Sequence, residues 1–151
     1  MENHTGFAIL LVEDDADDAM LIQRAFRKAK IVNPIQIVSD GDEAVAYLSG
    51  AERYGDRRQF PLPVLIILDL KLPRRSGFEV LEWLRSQPGL KRTPVVVLTS
   101  SKETVDVNHA YELGANSYLL KPVTFEALQE IMKTVNLYWL VSSEMPIPPG
   151  E

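Results

Sequence analysis

The chain has 151 residues and a formal net charge of −5, from 21 acidic and 16 basic residues. Hydrophobic residues make up 46% and charged residues 25%, which is ordinary for one globular domain and excludes collagen, coiled coil and bulk disorder. The absence of cysteine excludes disulfides, thiolate zinc sites, iron–sulfur clusters and cysteine nucleophiles. The acidic balance disfavours nucleic acid as a partner, because such binding relies on clustered positive charge.

Short aliphatic runs alternate with segments of helical periodicity along the chain. The runs are continuously apolar, which is typical of strands covered on both faces in a parallel sheet; they span residues 8–12, 35–38, 64–68, 94–98 and 117–120. The intervening periodicity predicts helices over residues 15–30, 43–48, 78–84, 103–113 and 124–140. Five strand–helix pairs predict an α/β fold, a doubly wound (βα)5 domain with one parallel five-stranded sheet.

Two segments interrupt the alternation. Residues 49–63 form a long connection, which we interpret as a surface insertion rather than a functional loop. The C-terminal residues 145–151 contain three prolines and are not expected to be helical. We therefore divide the chain into a disordered N-terminus over residues 1–6, one domain over residues 7–140 and the tail 141–151.

The start of the chain carries no basic leader, and no apolar run approaches the ~20 residues that a bilayer span requires. The longest runs have only the length of buried strands. We therefore expect a cytoplasmic protein that does not bind membranes.

Acidic residues follow two of the predicted strands. Glu13 and Asp14 come directly after the first strand, and Asp69 comes directly after the third. In open parallel sheets, ligands bind beyond the carboxyl ends of the strands, where the strand order reverses. With the flavodoxin-like order 2-1-3-4-5, all three carboxylates converge at that point. Converging anions resist ionisation unless a cation is near, and Mg²⁺ suits carboxylates, waters and phosphate oxygens.

Two further strand ends contribute a hydroxyl and an ammonium group. Thr99 ends the fourth strand and Lys121 ends the fifth. Together with the acids, they match a phosphoryl-transfer site, in which a carboxylate attacks phosphorus and cations and hydroxyls hold its oxygens. Each residue alone has a simpler interpretation as a helix cap, a loop acid or a surface lysine. Their joint placement at four strand ends favours the functional interpretation.

The residues at these strand ends lie in motifs that resemble the receiver domain of two-component response regulators. The resemblance extends over residues 7–139. Its motifs are Leu11-Val12-Glu13-Asp14-Asp15, Leu68-Asp69-Leu70-Lys71-Leu72-Pro73 followed by Ser76-Gly77, Leu98-Thr99-Ser100, Gly114-Ala115 and Tyr118-Leu119-Leu120-Lys121-Pro122. The resemblance implies that a histidine kinase is the partner and donates a phosphoryl group. It also implies a chain that catalyses its own phosphorylation and slow autodephosphorylation, and is not a conventional enzyme.

The resemblance also implies the roles of individual acidic residues. Asp69 matches the aspartate that accepts the phosphoryl group. Glu13 and Asp14 match the acid pair that holds Mg²⁺, together with Asp69 and the backbone carbonyl of Lys71. The basic side chain of Lys71 stands beside this site, where it is expected to influence autodephosphorylation.

The remaining matched residues belong to a conformational switch. By the resemblance, Thr99 is the hydroxyl that moves toward the phosphoryl group, Lys121 pairs with that group, and Tyr118 is the aromatic that turns inward. The Lys121–Pro122 peptide bond is expected to be cis. Phosphorylation of Asp69 is then expected to reshape the surface of the fourth helix, fifth strand and fifth helix.

The end of the last predicted helix is more apolar than a helix on a sheet requires. A continuous apolar run comprises Leu137, Tyr138, Trp139, Leu140 and Val141. A helix that packs on a sheet needs one apolar stripe, so the excess predicts an exposed patch or a tail that folds back. We expect a homodimer that forms through this region.

Little of the chain follows the predicted domain, so we expect a stand-alone receiver that signals by contact with another chain. The 49–63 insertion, the Asn33-Pro34-Ile35 entry to the second strand and the Tyr138-Trp139-Leu140 ending resemble one subgroup of regulators. These are the small response regulators paired with phytochrome-type, light-sensing histidine kinases in bacteria. A bacterial phytochrome is therefore the expected kinase partner.

Three other protein classes share this fold or this chemistry. An aspartate-nucleophile phosphohydrolase carries a second aspartate two residues after its nucleophile, where this chain has Lys71. A flavin-binding flavodoxin needs a phosphate cradle after the first strand, where this chain has Glu13-Asp14-Asp15. A phosphorylation-independent docking module is the closer alternative. Such degenerate receivers lose the aspartate or the lysine, whereas this chain keeps Asp69 and Lys121.

Overall fold

The computed structural model describes residues 7–136 together with Tyr138 and Trp139. The expectations for residues 1–6, for the tail 141–151 and for most of the apolar run lie outside these residues. The described elements are β1 (Ile9–Val12), α1 (Ala16–Lys28), β2 (Ile35–Val38), α2 (Gly41–Ser49), a 3-10 helix (Glu52–Gly55), β3 (Leu65–Leu68), α3 (Gly77–Ser86), β4 (Val95–Thr99), α4 (Thr104–Glu112), β5 (Ser117–Leu120) and α5 (Phe125–Val135). No helix in this described part is both long and apolar enough to cross a bilayer.

The five strands form one parallel sheet in the order β2-β1-β3-β4-β5. The predicted fold class and strand order are therefore confirmed. Val12 of β1 is paired with Leu68 of β3, and Leu68 is paired with Val97 of β4. The three central strands therefore end nearly level, which brings the residues that follow them to one edge of the sheet.

Helices cover both faces of the sheet, and the central strands are apolar at every position except Thr99 at the end of β4. Side chains alternate between the two faces with a period of two residues. One face packs on α2 and α3 through Leu10, Val12, Ile66, Leu68, Ala44, Leu48, Val80 and Leu81. The other packs on α1 and α5 through Ile9, Leu11, Leu65, Ile67, Ile22, Phe26, Leu128 and Met132. Each such aliphatic side chain contributes about 1.5–3 kcal/mol on burial, before the entropy of ordering is subtracted.

The connection over residues 49–63 packs back on the end of α2. Its Tyr54 is buried, with the ring centroid 5.0 Å from that of Tyr47 and 5.0 Å from that of Phe60. The guanidinium of Arg57 donates hydrogen bonds to the carbonyls of Tyr47 (2.8 Å) and Phe60 (3.1 Å). These contacts attach the insertion to α2 and extend the core, since Tyr47 and Tyr54 both belong to the cluster that packs on this face of the sheet.

Candidate functional site

Backbone hydrogen bonds continue one residue past the strands and position the residues that follow them. The amide of Asp69 donates to the carbonyl of Val12 (3.1 Å), and that of Lys121 donates to the carbonyl of Thr99 (2.8 Å). The amide of Glu13 donates to the last residue of β2 (3.0 Å). The sheet itself therefore fixes the starting point of each of these side chains.

Three carboxylates meet at this edge, as the sequence predicts. One oxygen from each of Glu13, Asp14 and Asp69 lies within 4.8 Å of the others. Glu13 is 3% exposed and Asp69 is 7% exposed, whereas Asp14 faces solvent. Two of the acids are therefore buried, and the third is exposed to solvent at the same edge of the sheet.

The Lys121 side chain lies at the same edge of the sheet and contacts three carboxylates. Its Nζ lies 2.6 Å from Glu13 Oε1, 2.9 Å from Asp69 Oδ2 and 3.0 Å from Asp18 Oδ2. An ammonium group has three N–H donors, so each donor has one acceptor. The sequence pattern did not single out Asp18. The available signal was its place in the first turn of α1, which begins three residues after Glu13.

Burial and ion pairing shift the acid–base properties of this site. Burial raises the pKa of Glu13 to about 7, although hydrogen bonds from Lys121 and from the Asp15 amide lower it in part. For Lys121, burial alone would lower the pKa, but its hydrogen bonds to Glu13, Asp69 and Asp18 raise it above its ordinary value. Lys121 therefore remains a cation, and it acts as a hydrogen-bond donor rather than a base.

Asp69 is held from the side opposite Lys121. Its Oδ1 accepts the amide N–H of Leu70 at 2.7 Å, and the amide of Lys71 lies 3.5 Å away. Gly77 lets this loop pack closely, because a Cβ at that position would come within 2.2 Å of the Asp69 carbonyl oxygen. The role of the Lys71 carbonyl as a metal ligand stays a prediction.

The donor set fits a hard divalent cation. Three carboxylates supply oxygen ligands, and two of them are buried where an unpaired anion is costly. Including Asp18, the site contains four carboxylates, of which Lys121 contacts three, so one ammonium leaves negative charge that a bound cation would offset. Glu13, Asp14 and Asp69 are the residues that would hold the ion.

Thr99 ends β4, the strand next to β3, and Tyr118 lies on the adjacent β5. Thr99 is 1% exposed, and its Oγ1 lies 3.5 Å from the amide of Ser101. The Tyr118 hydroxyl donates to the Ser101 carbonyl at 2.9 Å, and its ring packs against the core. Burial raises the pKa of Tyr118 above its ordinary value. Ser101 thus joins the two predicted switch residues, a link that depends on the path of the β4–α4 loop.

One expectation from the resemblance is wrong. The Lys121–Pro122 peptide bond is not cis, since the residues that the structure describes contain no cis peptide bond. The trans form is the ordinary, lower-energy state of a bond that precedes proline. With this bond in the trans form, Lys121 Nζ contacts the Glu13 and Asp69 carboxylates as described.

Comparison with known sequences finds relatives of similar length. A profile described as "Response regulator receiver domain" matches residues 9–133. The probable methanogenesis regulatory protein FilR2 of Methanothrix harundinacea (strain 6Ac) is 40% identical over 148 residues, which cover 98% of this chain and 93% of that protein. Response regulator Rcp1 of Synechocystis sp. is 38% identical over 145 residues, which cover 96% of this chain and 97% of that protein.

Solved structures of such proteins superpose over almost the whole chain. The phosphorylated cyanobacterial phytochrome response regulator RcpA superposes with a TM-score of 0.87 at 38% identity, covering 95% of this chain and 100% of that chain. The Mn²⁺-bound form of Rcp1 superposes with a TM-score of 0.84 at 38% identity, covering 93% of this chain and 99% of that chain. The second of these is a relative with a divalent cation bound, which agrees with the donor set found here.

Proposed function

This chain belongs to the response regulator receiver domain family, and we propose that its Asp69 accepts a phosphoryl group from a histidine kinase. The observation that carries the proposal is the contact of Lys121 Nζ with Asp69 Oδ2 at 2.9 Å, inside a cluster of carboxylates that fits a divalent cation. We further propose that it acts as a stand-alone regulator in the cytoplasm. FilR2 and Rcp1, matched over 93% and 97% of their lengths, support the stand-alone architecture.

The transfer uses the Asp69 carboxylate as the nucleophile. A carboxylate oxygen forms a bond to phosphorus while the bond from phosphorus to the kinase histidine nitrogen breaks, and the leaving nitrogen keeps that electron pair. Hydrogen bonding of Oδ1 to the Leu70 amide holds the carboxylate in one orientation. Lys121 remains protonated and turns an N–H toward a phosphoryl oxygen. A bound Mg²⁺ would offset the negative charge of the phosphoryl oxygens and the carboxylates.

Signalling then passes to the surface of α4, β5 and α5. Thr99 gains a phosphoryl oxygen as a hydrogen-bond acceptor and shifts toward Asp69, which alters the Ser101 segment that Tyr118 contacts. The surface already presents large apolar side chains to solvent, Val105 of α4 at 71% exposure and Leu120 of β5 at 41%. A change in the β4–α4 loop would rearrange these side chains and thereby select partners.

We propose a bacterial phytochrome as the kinase that donates the phosphoryl group. The support is the likeness to RcpA, whose description names it a phytochrome response regulator. The test is phosphotransfer from a purified phytochrome kinase beside unrelated histidine kinases, with equal amounts of each phosphorylated donor. The phytochrome should transfer fastest; equal rates from all donors would contradict this pairing.

A homodimer through the region of the last helix is also part of the proposal. Tyr138 is 60% exposed, while its neighbour Trp139 packs against the core below α5. An exposed aromatic that continues a buried apolar face is typical of a contact surface between chains. Sedimentation should show a dimer at micromolar concentration, and Tyr138→Ser should shift the chain toward the monomer. A monomeric wild-type chain, whether phosphorylated or not, would contradict it.

The direct test of the phosphoryl transfer is the intact mass of the protein after incubation with acetyl phosphate. We expect a gain of one phosphoryl group in the presence of Mg²⁺, and no gain with a chelator or in the Asp69→Asn variant. Asp56→Asn is the matched control, because it removes a carboxylate from the exposed insertion. A gain that persists in Asp69→Asn would contradict the assignment. No gain from acetyl phosphate or from any kinase would favour the docking alternative.

A further inference from the structure

We propose that Asp18 is a positioning residue for Lys121, which anchors its ammonium group while the other two carboxylates bind metal and accept the phosphoryl group. The inference rests on the proposed function, because it deepens the role of the same site. Of the three carboxylates that contact Lys121, Asp18 lies outside the set that would bind the metal or accept the phosphoryl group.

The three acceptors of the ammonium differ in what they must do next. Glu13 and Asp69 belong to the cluster of oxygens that fits a divalent cation, and Asp69 is also the nucleophile. Their bonds to Lys121, 2.6 and 2.9 Å long, must be rearranged when metal and phosphoryl group arrive. Asp18 is outside that cluster and lies 3.0 Å from Lys121 Nζ. It is the acceptor whose bond can persist through the whole reaction.

The position of Asp18 is set by the helix and not by the occupancy of the site. Asp15 caps the N-terminus of α1, and its carboxylate accepts the amides of Asp17 (2.9 Å) and Asp18 (3.2 Å). The next turns of α1 are buried against α5 through Ile22 and its neighbours. The position of Asp18 therefore depends on α1 and its N-cap rather than on the groups that would bind the metal and the phosphoryl group.

A fixed third acceptor has a chemical consequence. When Lys121 turns one N–H from Asp69 to a phosphoryl oxygen, its bond to Asp18 keeps Nζ at the same place. Without Asp18, the orientation of the ammonium depends on Glu13 and Asp69. Their contacts with Lys121 change when the metal and the phosphoryl group bind. The phosphoryl group would then be received and held by a less ordered cation, which slows transfer and speeds hydrolysis.

Asp17 provides the matched control for this role. It lies one position earlier in the same helical turn, has the same charge and is exposed to solvent, whereas Asp18 is 39% exposed beside Lys121. Asp17→Ala and Asp18→Ala therefore change the net charge and the first turn of α1 equally. Only the second removes an acceptor of the ammonium. Asp18→Glu, which keeps a carboxylate, is the rescue variant.

The experiment measures phosphorylation by acetyl phosphate with Mg²⁺, and subsequent loss of the phosphoryl group, in the wild type and the three variants. We expect Asp18→Ala to phosphorylate about threefold more slowly and to lose the group about threefold faster, the scale of one partly exposed ion pair. Asp17→Ala should match the wild type, and Asp18→Glu should recover part of the loss. Thermal unfolding checks that all three variants fold.

A spectroscopic readout separates positioning from general damage. The ¹H–¹⁵N signal of the Lys121 ammonium should be visible in the unphosphorylated wild type and in Asp17→Ala, because its protons are held in hydrogen bonds. It should broaden in Asp18→Ala. Equal rates and equal Lys121 signals in the two alanine variants would overturn the inference, as would faster phosphorylation of Asp18→Ala than of Asp17→Ala. A wild type that is never phosphorylated would instead overturn the proposed function, and this inference with it.

Discussion

Glu13 is the residue at which burial and charge conflict most strongly. It is 3% exposed, and burial raises its pKa to about 7 despite the 2.6 Å contact with Lys121. A carboxyl group whose pKa is higher in the folded state than in the unfolded state stabilises the fold at low pH. That contribution is lost as the pH rises through the folded pKa. Above pH 7 and without metal, ionised Glu13 therefore lowers the free energy of unfolding.

We predict that Glu13→Gln is more stable than the wild type at pH 8 in the absence of metal. The variant removes the buried negative charge, and we expect a gain of roughly 1–2 kcal/mol in the free energy of unfolding. Millimolar Mg²⁺ should raise the melting temperature of the wild type by mass action, and that of the variant by less. Thermal unfolding with and without Mg²⁺ measures both effects.

The control for this prediction is Glu112→Gln, which removes the charge of an exposed acid at the end of α4. It should respond to Mg²⁺ like the wild type. If Glu13→Gln were less stable than the wild type at pH 8 without metal, the ion pair with Lys121 would outweigh the desolvation of Glu13. The conclusion that buried, ionised Glu13 destabilises the fold without metal would then be wrong.

At the scale of single residues, the sequence predicts those site residues whose position the sheet determines. Glu13, Asp69 and Lys121 each follow a strand directly, and parallel strands end at a common edge. Asp18 and Ser101 could not be placed in the same way. Their contacts depend on the rotation of α1 and on the path of the β4–α4 loop, which strand ends do not specify.

Among the elements, the insertion over residues 49–63 depends on one arginine. The Arg57 guanidinium donates to the carbonyls of Tyr47 (2.8 Å), Leu48 (2.9 Å) and Phe60 (3.1 Å). The first two belong to the last turn of α2, where a cation also complements the helix dipole. One planar group thus joins the helix end to the far side of the insertion.

We predict that Arg57→Ala lowers the free energy of unfolding by about 1.5–3 kcal/mol, because it leaves three carbonyls without their charged donor. Urea unfolding measures the change. Arg58→Ala is the matched control. The Arg58 side chain is 96% exposed, and its ion pair with Asp56 Oδ1 is long at 3.7 Å, so its loss should cost less than about 0.5 kcal/mol. Equal effects of the two variants would show that the insertion is not held by Arg57.

Tyr47 gives the same region a dependence on alkaline pH. Its hydroxyl donates to the Pro61 carbonyl at 2.8 Å, and burial raises its pKa to about 12. Neutral Tyr47 therefore stabilises the fold below pH 10, and this contribution is lost as the pH rises from 10 to 12. We predict that Tyr47→Phe is about 1 kcal/mol less stable at pH 8 but loses less stability on going to pH 11.

Urea unfolding at the two pH values tests this prediction, with Tyr111→Phe as the control because Tyr111 is exposed on α4. A pH dependence of Tyr47→Phe as steep as that of the wild type would assign the alkaline loss to other groups.

The elements themselves were predictable to the extent that local pattern determines them. The three central strands follow continuous aliphatic runs, because strands buried on both faces admit few polar residues. The sequence pattern predicts a helix from residue 43, whereas α2 begins at Gly41, because glycine is a poor helix former and gives no local signal for a helix start. Gly41 is required there by the β3–α3 loop, because a Cβ would come within 1.8 Å of the Arg75 carbonyl oxygen. A glycine that is required by contact with a distant segment cannot be recognised from the sequence around it.

Across the whole molecule, packing is uneven among the helices. The helices α1, α2, α3 and α5 each bury at least three residues, whereas α4 buries Ala110 alone. The N-cap residue of α4, Glu103, makes no side-chain capping bond. A helix with few buried contacts and an uncapped end opens at low free energy. The α4 segment is therefore the element that a local event at Asp69 can rearrange at least cost.

We predict that phosphorylation changes amide hydrogen exchange in residues 99–113 and leaves α2 unchanged. The route runs from Asp69 to Thr99, and through Ser101 to Tyr118, whose hydroxyl donates to the Ser101 carbonyl at 2.9 Å. Beryllofluoride with Mg²⁺ serves as the stable phosphoryl mimic, and exchange is followed by mass spectrometry. Thr99→Ala should bind beryllofluoride yet lose the change in residues 99–113, because the hydroxyl that moves is gone. Tyr118→Phe, which removes only the hydroxyl, should reduce the change without abolishing it. Were the full change to persist in Thr99→Ala, the coupling would have to run outside β4, through α1 and α5 on the other face of the sheet.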